Sequence, residues 1–170
     1  MNNHSLETML PTLKNVSIFG GLSEADISGI FNQCTVVSYK AGDILIREGT
    51  PATEIYLVLT GTIKIVLQID NDPFEVVRFG SGDCLGETSV IGVLEHSASA
   101  VCVTDASFLV LSRKFLMDVF RENKTMFSML LLNIARELAR RLHNTDKLLL
   151  KYVKKSGPDL LKSGIVSEAQ

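Results

Sequence analysis

The sequence predicts a mainly-β domain flanked by helices, and three observations carry that prediction. Between Thr35 and Leu111 the apolar residues recur with a period of two, in short runs rich in Val, Ile and Leu. Turn-forming clusters separate these runs at short intervals, the pattern of a small sandwich, barrel or jelly roll. On both sides of this region the period changes to that of a helix. A chain of 170 residues with 46% apolar and 21% charged residues suits one globular domain. At this size roughly 69% of the unfolded surface can be buried.

Residues 1–33 read as short helices. Ser23 with Asp26 forms a capping-box-like start, followed by Ile27, Ile30 and Phe31 at helical spacing. Residues 34–112 carry the strands, at Asp43–Arg47, Glu54–Leu59, Thr62–Ile69, Glu75–Phe79, Ser97–Thr104 and Ser107–Leu111. Within Thr62–Ile69, the residues Ile63, Ile65, Leu67 and Ile69 fall on one face of a half-buried strand. Turns are expected at Gly42-Asp43, Gly49-Thr50-Pro51, Gly61, Asp70-Asn71-Asp72-Pro73 and Gly80-Ser81-Gly82-Asp83.

Residues 113–155 return to helix. Leu131, Ala135, Leu138, Leu142, Thr145, Leu149 and Tyr152 recur at alternating steps of four and three, a coiled-coil seam. A helix from about Asn123 to Lys155 would be roughly 50 Å long, more than a small barrel can cover. A second copy of the helix is the natural cover, so the expectation is a parallel two-fold dimer. The alternative is a helix folded back on the barrel. Gly157-Pro158 would end the helix, leaving 156–170 as a poorly ordered tail.

The charge balance of 17 basic against 19 acidic residues, net −2, argues against a polyanion binder while permitting a local basic patch. No apolar run reaches the ~18 residues of a membrane span, and the N-terminus lacks the marks of a signal peptide. A soluble cytoplasmic protein without membrane partners is expected. Cys34, Cys84 and Cys102 are odd in number and hold no C-x-x-C pair, which favours reduced thiols over disulfides or zinc. Gly-x-Ser-x-Gly, P-loop and His-Glu-x-x-His motifs are absent, so no enzyme, metal or cofactor is expected.

Several motifs together resemble one family. Phe19-Gly20-Gly21-Leu22-Ser23 looks like its entry segment. Gly42-Asp43-Ile44-Leu45-Ile46-Arg47-Glu48-Gly49 and Ile55-Tyr56-Leu57-Val58-Leu59-Thr60-Gly61 look like its first strands and glycine turns. Gly82-Asp83-Cys84-Leu85-Gly86-Glu87 looks like the opening of a phosphate-binding cassette. Over roughly residues 18–155 the chain thus resembles the cyclic-nucleotide-binding domain of catabolite-activator-like regulators, protein kinase regulatory subunits and gated channels. The resemblance implies a jelly-roll barrel with flanking helices and a long dimerisation helix. It implies a regulatory domain that binds cAMP or cGMP and relays occupancy through that helix.

The residues of the cassette suit such a ligand. Glycine at 82 and 86 permits positive φ and close approach of a ligand. A helical turn over Thr88–Ile91 would aim its first N–H groups at an anion. By resemblance, Glu87 accepts a hydrogen bond from the ribose 2′-hydroxyl, and Gly86, Thr88, Ser89, Ser97 and Ala98 line the same site. Where the family carries a phosphate-binding Arg, this sequence has His96, followed by the small hydroxyl of Ser97. Histidine lacks the permanent charge and two-pronged geometry of arginine. With an unperturbed pKa of about 6.5, about a quarter of it is charged at pH 7. The expectation is therefore weakened binding, or a pocket lost or turned to another ligand. Thr145 matches a helix position that contacts the purine edge in catabolite activators; as a seam residue it could instead set coiled-coil register.

Arg136, Arg140, Arg141, Lys147, Lys151, Lys154 and Lys155 make this helix basic, as on a solvated coiled-coil surface. The residues after Tyr152 show no two-helix pattern, so no DNA-reading module is expected in this chain, and an effector protein or a further C-terminal domain would take the signal. Two alternatives to the nucleotide sensor remain: a ligand-free dimerisation or protein-docking module, and a haem sensor using His96 or His143 with a cysteine.

Overall fold

The computed structural model describes residues 5–156 and builds an eight-stranded jelly roll with helices at both ends. The described residues fall into two compact units that divide between Ile134 and Ala135. What was expected of 156–170 lies, beyond Ser156, outside the described residues.

Helix α1 (Leu6–Lys14), a 3-10 turn (Ser17–Phe19) and α2 (Glu24–Gln33) form the N-terminal helices. The capping box starting α2 is present: Asp26 N donates to Ser23 Oγ at 3.1 Å, and Ser23 N returns a bond to Asp26 Oδ2 at 3.1 Å. The strands follow as β1 (Thr35–Tyr39), β2 (Ile44–Ile46), β3 (Glu54–Thr60), β4 (Ile63–Leu67), β5 (Phe74–Phe79) and β6 (Cys84–Leu85). After the short helix α3 (Glu87–Gly92) come β7 (Ser99–Cys102) and β8 (Ala106–Ser112). They make two antiparallel four-stranded sheets, ordered β1-β8-β3-β6 and β2-β7-β4-β5.

The alternation of the strands explains the two cores. Val58 and Phe108 face inward and meet Ile46, Ile63, Ala100 and Cys102 from the opposite sheet. Phe108, fully buried, holds the rings of Tyr39 and Tyr56 edge-on at 6.0 and 6.2 Å. The alternate residues Ile55, Leu57, Leu59, Leu109 and Leu111 are buried on the other face of their sheet. There α1 packs on β3 and α4 (Arg113–Glu122) on β8. Such burial stabilises by roughly 1.5–3 kcal/mol for each large side chain.

The expected single apolar face of Thr62–Ile69 is not observed. Ile63 and Ile65 meet the core, but Val66 rather than Leu67 is buried, and Ile69 lies beyond the strand end at Leu67. The ladder with β5 is irregular at this point, one step from Ile65 to Val66 facing two from Val77 to Glu75, so the bulged residue is Val76 of β5.

Helix α5 runs Lys124–Ser156, as the spacing predicts. In the first unit, buried Asn133 donates from Nδ2 to the carbonyls of Ile18 and Gly20, at 3.2 and 2.7 Å. In the second, buried Glu137 receives Arg140 and Arg141, at 2.5 and 2.9 Å, so two of the expected surface cations are paired. Burial alone would push the Glu137 carboxyl up, but the two guanidinium groups outweigh it and hold it below its ordinary value. No helix among the described residues is long and apolar enough to cross a membrane.

Candidate functional site

The Gly-Asp turn before the cassette is built by its own side chain. Asp83 Oδ2 accepts from Gly80 N at 2.8 Å, and Gly82 takes φ +93°, a left-handed conformation glycine adopts without strain. The turn delivers β6, where Leu85 pairs with Tyr56 and Cys84 with Leu57. Gly86 then breaks the strand at φ +84° and caps α3. Two constraints select glycine here, since a Cβ would also stand 2.7 Å from the Glu54 carbonyl oxygen.

Glu87, the first residue of α3, is 1% exposed, an uncommon state for a carboxylate in a short helix. Ser89 is buried beside it in sequence, while Thr88 is exposed. The expected turn at 88–91 is thus part of a helix over Glu87–Gly92.

The segment carrying His96 is tied to the turn after β2. His96 N donates to the Thr50 carbonyl at 2.9 Å, and its own carbonyl accepts from Gly49 N at 2.8 Å. This brings the imidazole to the cassette: a Cβ on Gly86 would lie 3.5 Å from His96 Cε1. The ring is half-buried, and that burial lowers its pKa below the ordinary 6.5. Ser97 is exposed and Ala98 half-buried. The next residue, Ser99, is fully buried and accepts Glu48 N at 3.0 Å, so it serves the barrel wall.

Neither nearby arginine in sequence offers an uncommitted cation. Arg47 grips both oxygens of Asp70 at 2.8 and 2.9 Å, and Arg78 grips Glu75 at 2.7 and 3.2 Å. Thr145 is exposed in the second unit, and its hydroxyl donates to the Arg141 carbonyl at 3.0 Å, so its own helix satisfies it. Cys84 and Cys102 are buried, and burial pushes the Cys34 thiol up to about 12, leaving it protonated and inert.

Sequence reasoning missed Arg113. At the start of α4 its Nη2 donates to the carbonyls of Ala52 and Val90, at 3.0 and 3.3 Å, anchoring the end of the cassette helix. A lone arginine after a strand gave no signal of this, because its partners are backbone atoms far away in sequence.

Comparisons with known proteins bear on the family and the fold. The family model for the cyclic nucleotide-binding domain matches residues 36–123. A CRP-like cAMP-activated global transcriptional regulator of Mycobacterium tuberculosis is 24% identical over 159 residues, 93% of this chain and 69% of that one. A cAMP-dependent protein kinase regulatory subunit of Dictyostelium discoideum is 31% identical over 111 residues, 62% of this chain and 34% of that one. The crystal structure of a cyclic nucleotide-binding domain from Methylobacillus flagellatus superposes with a TM-score of 0.77 at 23% identity, covering 87% of this chain and 84% of that one. The chain spans between 23% and 69% of the length of the first curated relatives it matches. With its cassette, its jelly roll and more than half its length matched, the chain belongs to the cyclic nucleotide-binding domain family.

Proposed function

We propose that this chain is a regulatory sensor of a cyclic nucleotide of the cAMP or cGMP class, with affinity weakened by His96, and that α5 relays occupancy within a homodimer. The observation that carries the reading is the cassette itself, where buried Glu87 follows left-handed Gly86 and the His96 ring stands against that glycine. A carboxylate kept from water there suits a ribose hydroxyl, and the imidazole takes the place of the phosphate-binding cation. Ser89, Ser97 and Ala98 complete the wall in this reading, with Thr88 at the rim. The relatives described as cAMP-activated and cAMP-dependent support the ligand class. The signal would pass to an effector protein or a further domain.

Calorimetric titration with cAMP and cGMP tests this reading. Wild type should bind weakly, and His96→Arg should bind about 10–150-fold more tightly, the worth of one charge-assisted hydrogen bond. His96→Ala should lose the residual affinity. No binding by wild type or by the Arg variant would instead favour a ligand-free docking module. The lowered pKa of His96 favours that second reading, because the imidazole then offers less positive charge to a phosphate.

A further inference from the structure

A cavity of about 230 Å³ opens where Cys34, the C-cap of α2, meets β1, β3, β8 and the start of α4. None of the cassette residues lines it. Its chemistry is one-sided. Glu54 brings a carboxylate, and none of the lining residues is Lys, Arg or His. Tyr56 Oη donates to Glu54 Oε2 at 2.6 Å, which fixes the carboxylate, while Oε1 has no protein donor among the described residues. Burial, then the Glu54 hydrogen bond and charge, push the Tyr56 phenol up, so it stays a donor.

The remaining walls combine aromatic rings with the uncharged polar side chains of Gln33, Thr35 and Ser112. Tyr39, Tyr56 and Phe115 line the space, and both tyrosine rings are held edge-on by Phe108. Val110 closes the apolar side. A carboxylate among aromatic rings attracts a cation that also has apolar surface, since the rings present a negative π face. Calcium or magnesium would need six or more oxygens, far more than one carboxylate and its phenol supply. The volume lies below the roughly 300–1,000 Å³ of clefts for drug-sized molecules, so the occupant is small.

We propose that this cavity binds a small organic ammonium ion, with its charge on Glu54 and its alkyl groups against Tyr39, Tyr56 and Phe115. The proposal stands apart from the nucleotide reading, because the two sites share no lining residue.

The test uses the full chain, titrated with tetramethylammonium chloride and with tert-butanol, a neutral molecule of similar shape, at constant ionic strength. Amide chemical shifts and calorimetry report binding. Tetramethylammonium should give saturable shifts centred on Glu54, Tyr56 and Val110, with a Kd of about 1 mM, while tert-butanol binds at least tenfold more weakly. Glu54→Gln still accepts from Tyr56 and should weaken tetramethylammonium at least tenfold. The proposal is overturned by equal binding of the two molecules, by unchanged affinity in Glu54→Gln, or by no saturable shift at about 100 mM, a hundredfold above that Kd. The comparison on the wild-type chain decides the matter even if the variant fails to fold.

Discussion

His96 titrates in opposite directions in the two equilibria it enters. Burial lowers its pKa in the folded chain, so less than the quarter expected from an unperturbed imidazole is charged at pH 7. An anionic phosphate beside it would raise that pKa, so a proton would be taken up on binding. Nucleotide affinity should then increase as pH falls from 8 to 6, by at most tenfold per unit. Calorimetry in buffers of different ionisation enthalpy would read the proton directly, and a flat profile would remove His96 from the site. For folding the sign reverses. The unfolded chain takes the proton first, so this group costs no stability above about pH 6.5 and costs increasingly more as pH falls from there through the lowered folded-state pKa. Gly86 makes a second residue-level test. Gly42, at φ +92° in open space, should lose about 1–2 kcal/mol on change to Ala from left-handed strain alone. Gly86→Ala meets the Glu54 carbonyl as well and should cost more, read as a larger fall in the urea midpoint.

Among the elements, α5 leaves its seam uncovered. Leu131, Leu142 and Leu149 are 40%, 63% and 59% exposed in the single chain, which is what a helix awaiting its twin would present. Replacing Leu138 and Leu142 with Asp should convert a dimer to a monomer in sedimentation; a wild-type monomer at high micromolar concentration would defeat the dimer reading. On the same helix, Glu137→Gln removes the carboxylate that holds Arg140 and Arg141 and should cost about 1.5–3 kcal/mol at neutral pH in thermal or urea unfolding. Since the folded pKa of Glu137 is lowered, its contribution is full above the unfolded value of about 4.3 and fades as pH falls through the folded one. Helices and turns were legible in the sequence because caps, heptads and glycines are local signals. The six named strand runs are all present, but β1 and β6 were not singled out. Thr35–Tyr39 mixes polar and apolar residues, and Cys84–Leu85 is only a two-residue ladder. The bulge opposite Ile65 and Val66 lies in β5, at Val76, while β4 stays in register with β7, and the β5 residues themselves carry no mark of it.

At the scale of the whole molecule, the candidate site draws on parts of the chain that only the fold unites. Gly86 and Glu87 were visible as a motif, and His96 as a departure from it. That Glu87 is buried, that the His96 ring meets Gly86, and that Arg113 holds the far end of α3 depend on the turn at Gly49–Pro51 and the start of α4. No spacing rule reaches across such distances. The barrel centre has the same character. Phe108→Ala should cost about 3–5 kcal/mol in urea unfolding, because it opens a void against Tyr39, Tyr56 and both sheets.

The order β1-β8-β3-β6 also bears on how the protein is made. Among the described residues β8 is the one ladder partner of β1, with Thr35 set against Val110. Roughly 70 residues must be translated between the end of β1 and the end of β8, which takes roughly 4–14 s at the usual rate of synthesis. Throughout that interval Thr35–Tyr39 is a strand without a sheet, and one edge of β3 has no strand to pair with. Nascent chains stalled before Ala106 should therefore stick to chaperones or to one another, whereas chains released after Ser112 can close the barrel in one cooperative step.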